Sequence, residues 1–418
     1  MKNIQKALFL SIFIASVLFF TSHKTASAQS GRFAEPVFED VIVEEEIPFS
    51  RAVREGMLLP TTLYFDFYEP EGDTMQARPL VITMFGGAFV TGWRDFADMT
   101  EYCTRLAKHG YVTATIDYRL LPIIYLSERS IIREAYMSAQ DLSAAIRYFK
   151  ANCEEYRIDP SRIFVLGSSS SSISILLELF MDEDERPAET FEYPDLGPMH
   201  SSGFEEYADY SAQVSGAIPQ WGGIIGTDMI DADDYTPLCM IHGTDDVTLP
   251  YDTGYCSSQL LLNSISIYIY GSHAIANRLD DLGITDYELH TFEGKGHVFY
   301  FNAIMMIKEA EFDTCFNITR NFLLNHLAMP TSIGETLAEN ISIYPNPASE
   351  YIIIDNEDES SPMPLNVDVF DMTGRKVMSG SVYGTRQTIE VSQWQAGIYI
   401  VRFERDGRSV NRKITIIH

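Results

Sequence analysis

The chain is short of positive charge. Its 418 residues hold 30 Lys and Arg against 59 Asp and Glu, a formal net charge of -29. So negative a field repels phosphates and excludes DNA or RNA as a main partner. Cysteine is also scarce. Cys103, Cys153, Cys239, Cys256 and Cys315 form no CxxC pair and no Cys/His spacing of a zinc site, and the nine histidines form no HExxH stretch. No metal and no cofactor is therefore expected. A repeat of propeller-blade length is missing too. Past residue 28 no apolar run is long enough to cross a bilayer. What is plentiful is ordinary core material, with 46% hydrophobic and 21% charged residues. That composition excludes wholesale disorder, a collagen-like chain and a disulfide miniprotein. The length implies two to three domains.

The first residues have the layout of an export signal. Lys2 and Lys6 are followed by an apolar run from Ala7 to Phe20 and then by Ala26-Ser27-Ala28. Residues 1–28 are expected to be a cleaved signal peptide. A membrane anchor is the alternative, but the run falls short of the roughly 20 residues of a bilayer span. Cleavage removes three lysines and no acid, so the charge moves from -29 to -32. An exported chain meets oxidising conditions, which permits one or two disulfides. Five is odd, so at least one thiol stays free or pairs with another chain. Cys239 reads equally well as a small buried hydrophobe.

From Leu63 to about His326, apolar runs alternate with amphipathic stretches. The runs are Leu80–Met84, Val112–Ile116, Ile163–Leu166, Ala217–Trp221 and Leu238–Ile241, and helical patterns cover Asp95–His109, Ile131–Ala151 and Ala303–Leu327. Near-continuous apolar strands separated by helices predict a mostly parallel, doubly wound α/β sheet. The stretch 181–213 breaks the rhythm with an acidic run, prolines and aromatics, and is expected to be an inserted loop or cap. Residues 331–340 look like a linker between a body of residues 29–330 and a tail of residues 341–418. The tail shows short alternating runs separated by turn signals, which predicts a small all-β sandwich. Residues 335–418 carry a net charge of only -4, so the excess acid lies in the body.

The chemistry concentrates in three places. In Arg162-Ile-Phe-Val-Leu-Gly167-Ser168-Ser169-Ser170-Ser171 a buried strand enters a tight turn and then an apolar helix. A strained turn of this kind lifts a serine above a sheet. The G-x-S-x-G spacing selects Ser169, with Ser171 in place of the last glycine. A serine-rich turn that merely caps a helix is the alternative. Upstream, Phe85-Gly86-Gly87-Ala88 ends a strand in a loop with little side chain. Such a loop brings backbone N–H groups close to a developing oxyanion. Downstream, His242-Gly-Thr-Asp245-Asp246 closes another strand, and Gly294-Lys-Gly296-His297 forms a glycine-flanked loop. The order serine, acid, histidine is that of α/β-hydrolases and differs from the two large protease classes.

On these residues, the body resembles secreted α/β-hydrolases of the carboxylesterase kind, close to feruloyl and acetylxylan esterases. The resemblance also rests on Gly110-Tyr-Val-Thr-Ala-Thr-Ile-Asp-Tyr-Arg119 and Tyr156-Arg-Ile-Asp-Pro-Ser-Arg-Ile-Phe-Val-Leu-Gly167. It implies a serine esterase with Ser169 as nucleophile, His297 as base and Asp246 as the acid, with Asp245 the runner-up. It further implies oxyanion donors at the N–H groups of Gly87, Ala88 and Ser170. Phe85 stands where the pattern has histidine. The tail is similar to the C-terminal sorting domain of the type IX secretion system of Bacteroidota, on Ile343-Tyr-Pro-Asn-Pro-Ala348, Val369-Phe-Asp-Met-Thr-Gly-Arg-Lys-Val377 and Gly397-Ile-Tyr-Ile-Val401. That likeness implies the secretion machinery as a partner and a cell-surface or extracellular location. The small sugar-binding sandwich is the alternative for the tail.

The expected activity is hydrolysis of carboxylic esters through an acyl-enzyme, with acetyl or feruloyl esters on plant or algal polysaccharides as the implied substrates. A secreted peptidase or lipase of the same fold, and a catalytically silent adhesion protein, stay open. Trp93 and Tyr118 border the acyl pocket or pack in the core. His290 is expected to be structural, and His242 a satisfied strand-end residue.

Overall fold

The computed structural model describes residues 31–327, except 233, 235 and 258–264, and residues 341–417, except 357–364, 372–375, 383–385 and 406–407. The expected signal peptide of residues 1–28 and the linker of residues 331–340 lie outside the described residues. Two compact units divide after Leu327.

The first unit is built on an eight-stranded sheet. Its strands are β1 (Val41–Val53), β2 (Pro60–Pro70), β3 (Arg78–Met84), β4 (Val112–Ile116), β5 (Ile158–Ser168), β6 (Gly216–Gln220), β7 (Leu238–Gly243) and β8 (Tyr287–Phe292). They lie in the order β1-β2-β4-β3-β5-β6-β7-β8. Only β2 runs against the others, pairing antiparallel with β1 and β4. The remaining pairs are parallel. This is the α/β-hydrolase fold that the apolar runs anticipate. Every residue of β3, β4, β6 and β7 is buried, as strands covered on both faces must be. Helices cover this sheet, and several of them form the crossovers that parallel neighbours need. They are α1 (Ala97–Lys108), α2 (Glu128–Ala151), α3 (Ser170–Phe180), α4 (Ser272–Leu282) and α5 (Glu309–Leu327).

Two local expectations are corrected. The sheet begins at Val41 rather than Leu63, because β1 is a mostly exposed edge strand rich in glutamate with no apolar run. The helix expected from Ala303 begins at Glu309. Before it, the Asn302 carboxamide oxygen accepts from the N–H groups of Ile304 and Met306, and Met305 takes φ +60°, so the chain turns instead of winding. The segment 181–213, expected as an inserted loop or cap, runs along α2 as short 3-10 turns. Arg133 donates to the carbonyls of Glu189, Glu192 and Pro194, and Gln140 to those of Leu196 and Pro198. The five cysteines are all unpaired thiols, and Cys239 is fully buried.

The second unit is a β-sandwich, as the turn signals anticipate. Its strands are β9 (Ile341–Tyr344), β10 (Tyr351–Asn356), β11 (Leu365–Asp371), β12 (Lys376–Val382), β13 (Arg386–Glu390), β14 (Gly397–Arg405) and β15 (Arg408–Ile416). One antiparallel sheet runs β9-β10-β13 and the other β12-β11-β14-β15. Ile352, Ile354, Val369, Val401, Phe403 and Ile414 form the centre of its core. The sequence pattern misses β12, whose Ser379-Gly380-Ser381 interrupts the alternation.

In the body, one buried ion pair backs the future site. Arg119, just past β4, donates to both oxygens of Asp141 on α2, and Asp141 is completely buried. The neighbouring Tyr118 hydroxyl donates to the Phe85 carbonyl at 3.0 Å, and the Leu121 N–H to the Phe89 carbonyl at 2.8 Å. The pair therefore anchors the segment that supports the Gly86-Gly87-Ala88 loop. Removing one partner leaves a buried charge uncompensated. Asp141→Ala is expected to lower stability by about 3–5 kcal/mol, read from the urea midpoint, whereas an unchanged midpoint would contradict this account.

Candidate active site

Four strands deliver their ends to one place, at the carboxyl edge of the sheet where ligands bind in such folds. β3 runs into Gly86-Gly87-Ala88, β5 into Ser169, β7 into Asp246 and β8 into His297. Ser169 sits at φ +60° and ψ -118°, between the end of β5 and the start of α3. A serine pays strain for that conformation, which is the mark of an elbow that presents its hydroxyl. Gly167 makes the bend possible. A Cβ there would lie 2.6 Å from the Ile175 side chain and 2.9 Å from the Ser171 hydroxyl.

Ser171, which replaces the usual glycine, has a use of its own. Its fully buried hydroxyl accepts from the Ser168 N–H at 2.8 Å and lies 2.9 Å from the Met84 carbonyl, to which it donates. It ties the elbow to the end of β3. Ser168 is buried and accepts from the Trp221 indole at 2.9 Å.

Asp246 and His297 meet because β7 and β8 are parallel neighbours in register. The turns that follow are zipped together. Thr244 N–H donates to the Phe292 carbonyl, Gly294 N–H to the Thr244 hydroxyl, and Asp245 N–H to the Lys295 carbonyl. A Cβ on Gly243 would sit 2.2 Å from the Lys295 carbonyl oxygen, so glycine here permits close approach rather than movement. His297 Nδ1 lies 2.6 Å from Asp246 Oδ2, and its Nε2 lies 2.8 Å from Ser169 Oγ. Asp246 is buried, while the Asp245 side chain is exposed and bonds only within its own turn to Thr244. Of the two candidates, Asp246 is the one whose carboxylate lies against His297.

The electrostatics fix the direction of each bond. Burial alone would raise the Asp246 carboxyl, but hydrogen bonds from His242 and His297 outweigh it and hold the group well below the usual carboxylate range. The N–H groups of Thr248 and Leu249 also donate to its Oδ1, at 2.8 and 3.0 Å. An ionised carboxylate only accepts. His297 must therefore carry its proton on Nδ1, which leaves the Nε2 lone pair for the Ser169 hydroxyl. His242 is satisfied at a strand end, as expected, with Nδ1 2.8 Å from the Ser272 hydroxyl and Nε2 3.0 Å from the Leu249 carbonyl. What the sequence does not disclose is that the same Nε2 lies 3.3 Å from Asp246 Oδ2.

Opposite the elbow, a Cβ on Gly86 would lie 2.9 Å from the Ser168 carbonyl oxygen and 3.1 Å from Ser169 Cβ. The glycine loop therefore rests directly against the serine turn. Gly87, Ala88 and Phe89 all have positive φ, at +143°, +53° and +63°. Gly87 and Ala88 line a cavity of about 800 Å³ together with Ser169 and His297. Ser170 is the first residue of α3, so its N–H belongs to the four that a helix leaves without an internal partner. Phe85, in the histidine position of the family pattern, stacks on Tyr118 with ring centres 4.4 Å apart. Tyr118 thus packs in the core, whereas Trp93 is exposed and lines the cavity. No residue of 181–213 lines it. His290 bonds to Glu288 at 2.8 Å on β8.

Comparison with known proteins gives two family matches, one in each unit. Residues 65–193 match the family described as BD-FAE, and residues 342–417 match the secretion system C-terminal sorting domain. The second match assigns the chain to type IX secretion, to the cell surface or the extracellular space. The chain is 25% identical over 181 residues to the fumonisin B1 esterase of Sphingopyxis macrogoltabida, covering 38% of this chain and 33% of that protein. It is 30% identical over 116 residues to venom carboxylesterase-6 of Apis mellifera, covering 27% and 20%. The chain thus spans a third or less of the length of these curated relatives. Among solved structures, Thermogutta terrifontis esterase 2 phosphoramylated by tabun is similar at 17% identity, with a TM-score of 0.47, over 67% of this chain and 96% of that one.

The depressed Asp246 carboxyl has a consequence for stability. Its folded pKa lies below the unfolded value of about 3.9, so its contribution is complete above that value and is lost as pH falls towards the folded one. Asp246→Asn lacks this contribution at every pH. The stability gap between parent and variant, measured by urea unfolding, is expected to be widest near neutrality and to narrow below about pH 4. A gap that stays constant down to pH 2 would refute the assignment.

Proposed function

We propose that this chain, with its BD-FAE match in the body and its sorting domain in the tail, is an exported serine esterase that cleaves carboxylic esters through an acyl-enzyme. The observation that carries the reading is the unbroken line of hydrogen bonds from Ser169 Oγ through His297 to the buried Asp246, opening into the cavity beside Gly87 and Ala88.

In this mechanism Ser169 Oγ attacks the ester carbonyl carbon while its proton passes to His297 Nε2. Asp246 holds the tautomer and stabilises the imidazolium that forms. The carbonyl oxygen becomes an oxyanion against the N–H groups of Gly87, Ala88 and Ser170, where each donor is worth about 100- to 1000-fold in rate. The intermediate collapses, and the alcohol leaves with the proton from His297. Water then repeats the sequence on the acyl-enzyme, yielding the acid and restoring Ser169.

The cavity supports acyl groups larger than acetyl. Trp93, Phe96, Val298, Phe301 and Met305 give it an aromatic and apolar wall, the usual character of a ligand pocket. Feruloyl esters on a polysaccharide suit this wall better than acetyl esters do, and the exposed Trp93 at the rim offers a face for a sugar ring.

Ser169→Ala is expected to reduce p-nitrophenyl acetate turnover by about 10⁴-fold or more, whereas Ser168→Ala loses less than about tenfold. The opposite pattern, or equal activity in both variants, would remove Ser169 from the mechanism. Methyl ferulate should exceed acetylated xylan in kcat/KM. The reverse ranking would leave an esterase but discard the aromatic acyl group.

A further inference from the structure

Three residues past His297, Tyr300 is completely buried, and its hydroxyl donates to Asp98 Oδ2 at 2.8 Å. Asp98 lies in the first turn of α1 and is itself only 2% exposed. Its other oxygen accepts from the Met99 N–H at 2.9 Å. No cation stands among the groups acting on this carboxyl. Burial pushes it up to about 6, against hydrogen bonds from the Tyr300 hydroxyl and from the Met99 and Asp98 N–H groups that favour its charge. A buried carboxyl without a counter-charge is costly to keep. It also lines the cavity that holds Ser169 and His297.

The backbone between His297 and Tyr300 supplies a second, independent observation. Val298 has φ +43°. For a β-branched residue this conformation is a true outlier, and it persists only where the surroundings over-determine it. The surroundings here are specific. The Tyr300 ring meets Trp221 and Phe312 edge-on, with ring centres 5.1 and 5.2 Å apart. The Tyr300 carbonyl accepts from the Lys308 N–H at 2.7 Å. The hydroxyl has Asp98. On the far side, Trp221 donates to Ser168, the residue before the elbow serine.

We propose that Asp98 is a positioning residue that acts through the Tyr300 hydroxyl, clamping the strained turn at Val298 so that the His297 imidazole reaches Ser169 and Asp246 together. The clamp joins the start of α1 to the histidine loop across the floor of the cavity. Its hydrogen bonds go to Met99 and Tyr300 and not to Ser169 or His297. Its loss lets the turn relax and moves the imidazole off one of two bonds that must hold simultaneously. A displacement near 1 Å in such a constellation costs about 100-fold in rate.

The inference rests on the serine-esterase reading, and the test separates the two. The full chain is assayed on p-nitrophenyl acetate, and active sites are counted by labelling with a fluorophosphonate. Tyr300→Phe removes only the hydroxyl, and Asp98→Asn keeps the shape while weakening the acceptor. Each is expected to lower kcat per labelled site by about 10- to 100-fold, with KM within about threefold of the parent. The double variant should be no worse than the weaker single by more than about threefold, because both changes cut one link. Adding Val298→Gly to Tyr300→Phe should recover part of kcat, since glycine holds a positive φ without a clamp. A merely structural role would lower the melting temperature and the labelled fraction but leave kcat per site unchanged. The inference is overturned if both single variants stay within threefold in kcat, if the loss falls on KM, or if the two losses multiply. A parent that neither hydrolyses the ester nor labels at Ser169 rejects the esterase reading itself and the clamp with it.

Discussion

The Asp246 carboxylate has to stay ionised inside the protein, and the rest of the site is arranged around that requirement. A buried charge of this kind needs donors on every side. Two come from the backbone of its own turn, one from His297, and His242 lies close enough to contribute. The donors are not interchangeable. Because the carboxylate can only accept, it dictates where the His297 proton sits, and that proton dictates which ring nitrogen faces Ser169. His242 is fixed in turn by the Leu249 carbonyl and the Ser272 hydroxyl. The chain of obligation runs outward from one carboxylate, through the His297 imidazole to Ser169 and through the His242 imidazole to Ser272. The fold meets it by placing β7 and β8 side by side, so that the acid turn and the histidine loop start from adjacent strand ends.

Much of this is legible in the sequence, for a physical reason. Strands buried on both faces leave apolar runs, and such runs mark β3, β4, β5, β6 and β7 directly. Ser169, Asp246 and His297 follow recognisable strand ends, so their order along the chain is visible before any contact is. What stays hidden depends on partners distant in sequence. Nothing near His242 announces that it serves Asp246, since the signal of a strand-end histidine is the same with or without that contact. Asp98 and Tyr300 are some 200 residues apart along the chain and carry no motif. β1 escapes because an exposed edge strand has no need of an apolar run. The inserted segment 181–213 is visible as a break in rhythm. Its seat along α2 is set by Arg133 and Gln140, whose burial no local pattern reveals.

The two departures from the family pattern become intelligible once packing is considered. Glycine after the nucleophile relieves crowding between helix and strand. Here Ser171 occupies that crowded spot, and the burden shifts to Gly167, where a Cβ would come 2.9 Å from the Ser171 hydroxyl. The hydroxyl in return bridges the elbow to the Met84 carbonyl, just before the glycine loop. Phe85 gives up whatever a histidine side chain would donate. Its ring instead fills the gap against Tyr118, and a Cβ on Gly92 would lie 2.4 Å from it. Ser171 thus ties the end of β5 to β3, and Phe85 ties the end of β3 to the segment just past β4, so both substitutions brace the ends of strands that meet at the site.

Export raises a last question, because five unpaired thiols sit uneasily in an oxidising environment. Thiolate, not thiol, is the species that exchanges and oxidises. Burial pushes Cys103 up to about 11 and Cys315 up to about 12, and it raises Cys239 and Cys256 as well. At neutral pH such groups are almost entirely protonated, and Cys103, Cys239 and Cys315 are also closed to solvent. They behave as small hydrophobes in the core. The same tight packing that seats the strand ends closes these three thiols to solvent. It follows that a loosening of the core would damage the chain twice, by disturbing the site and by exposing thiols that folding keeps silent.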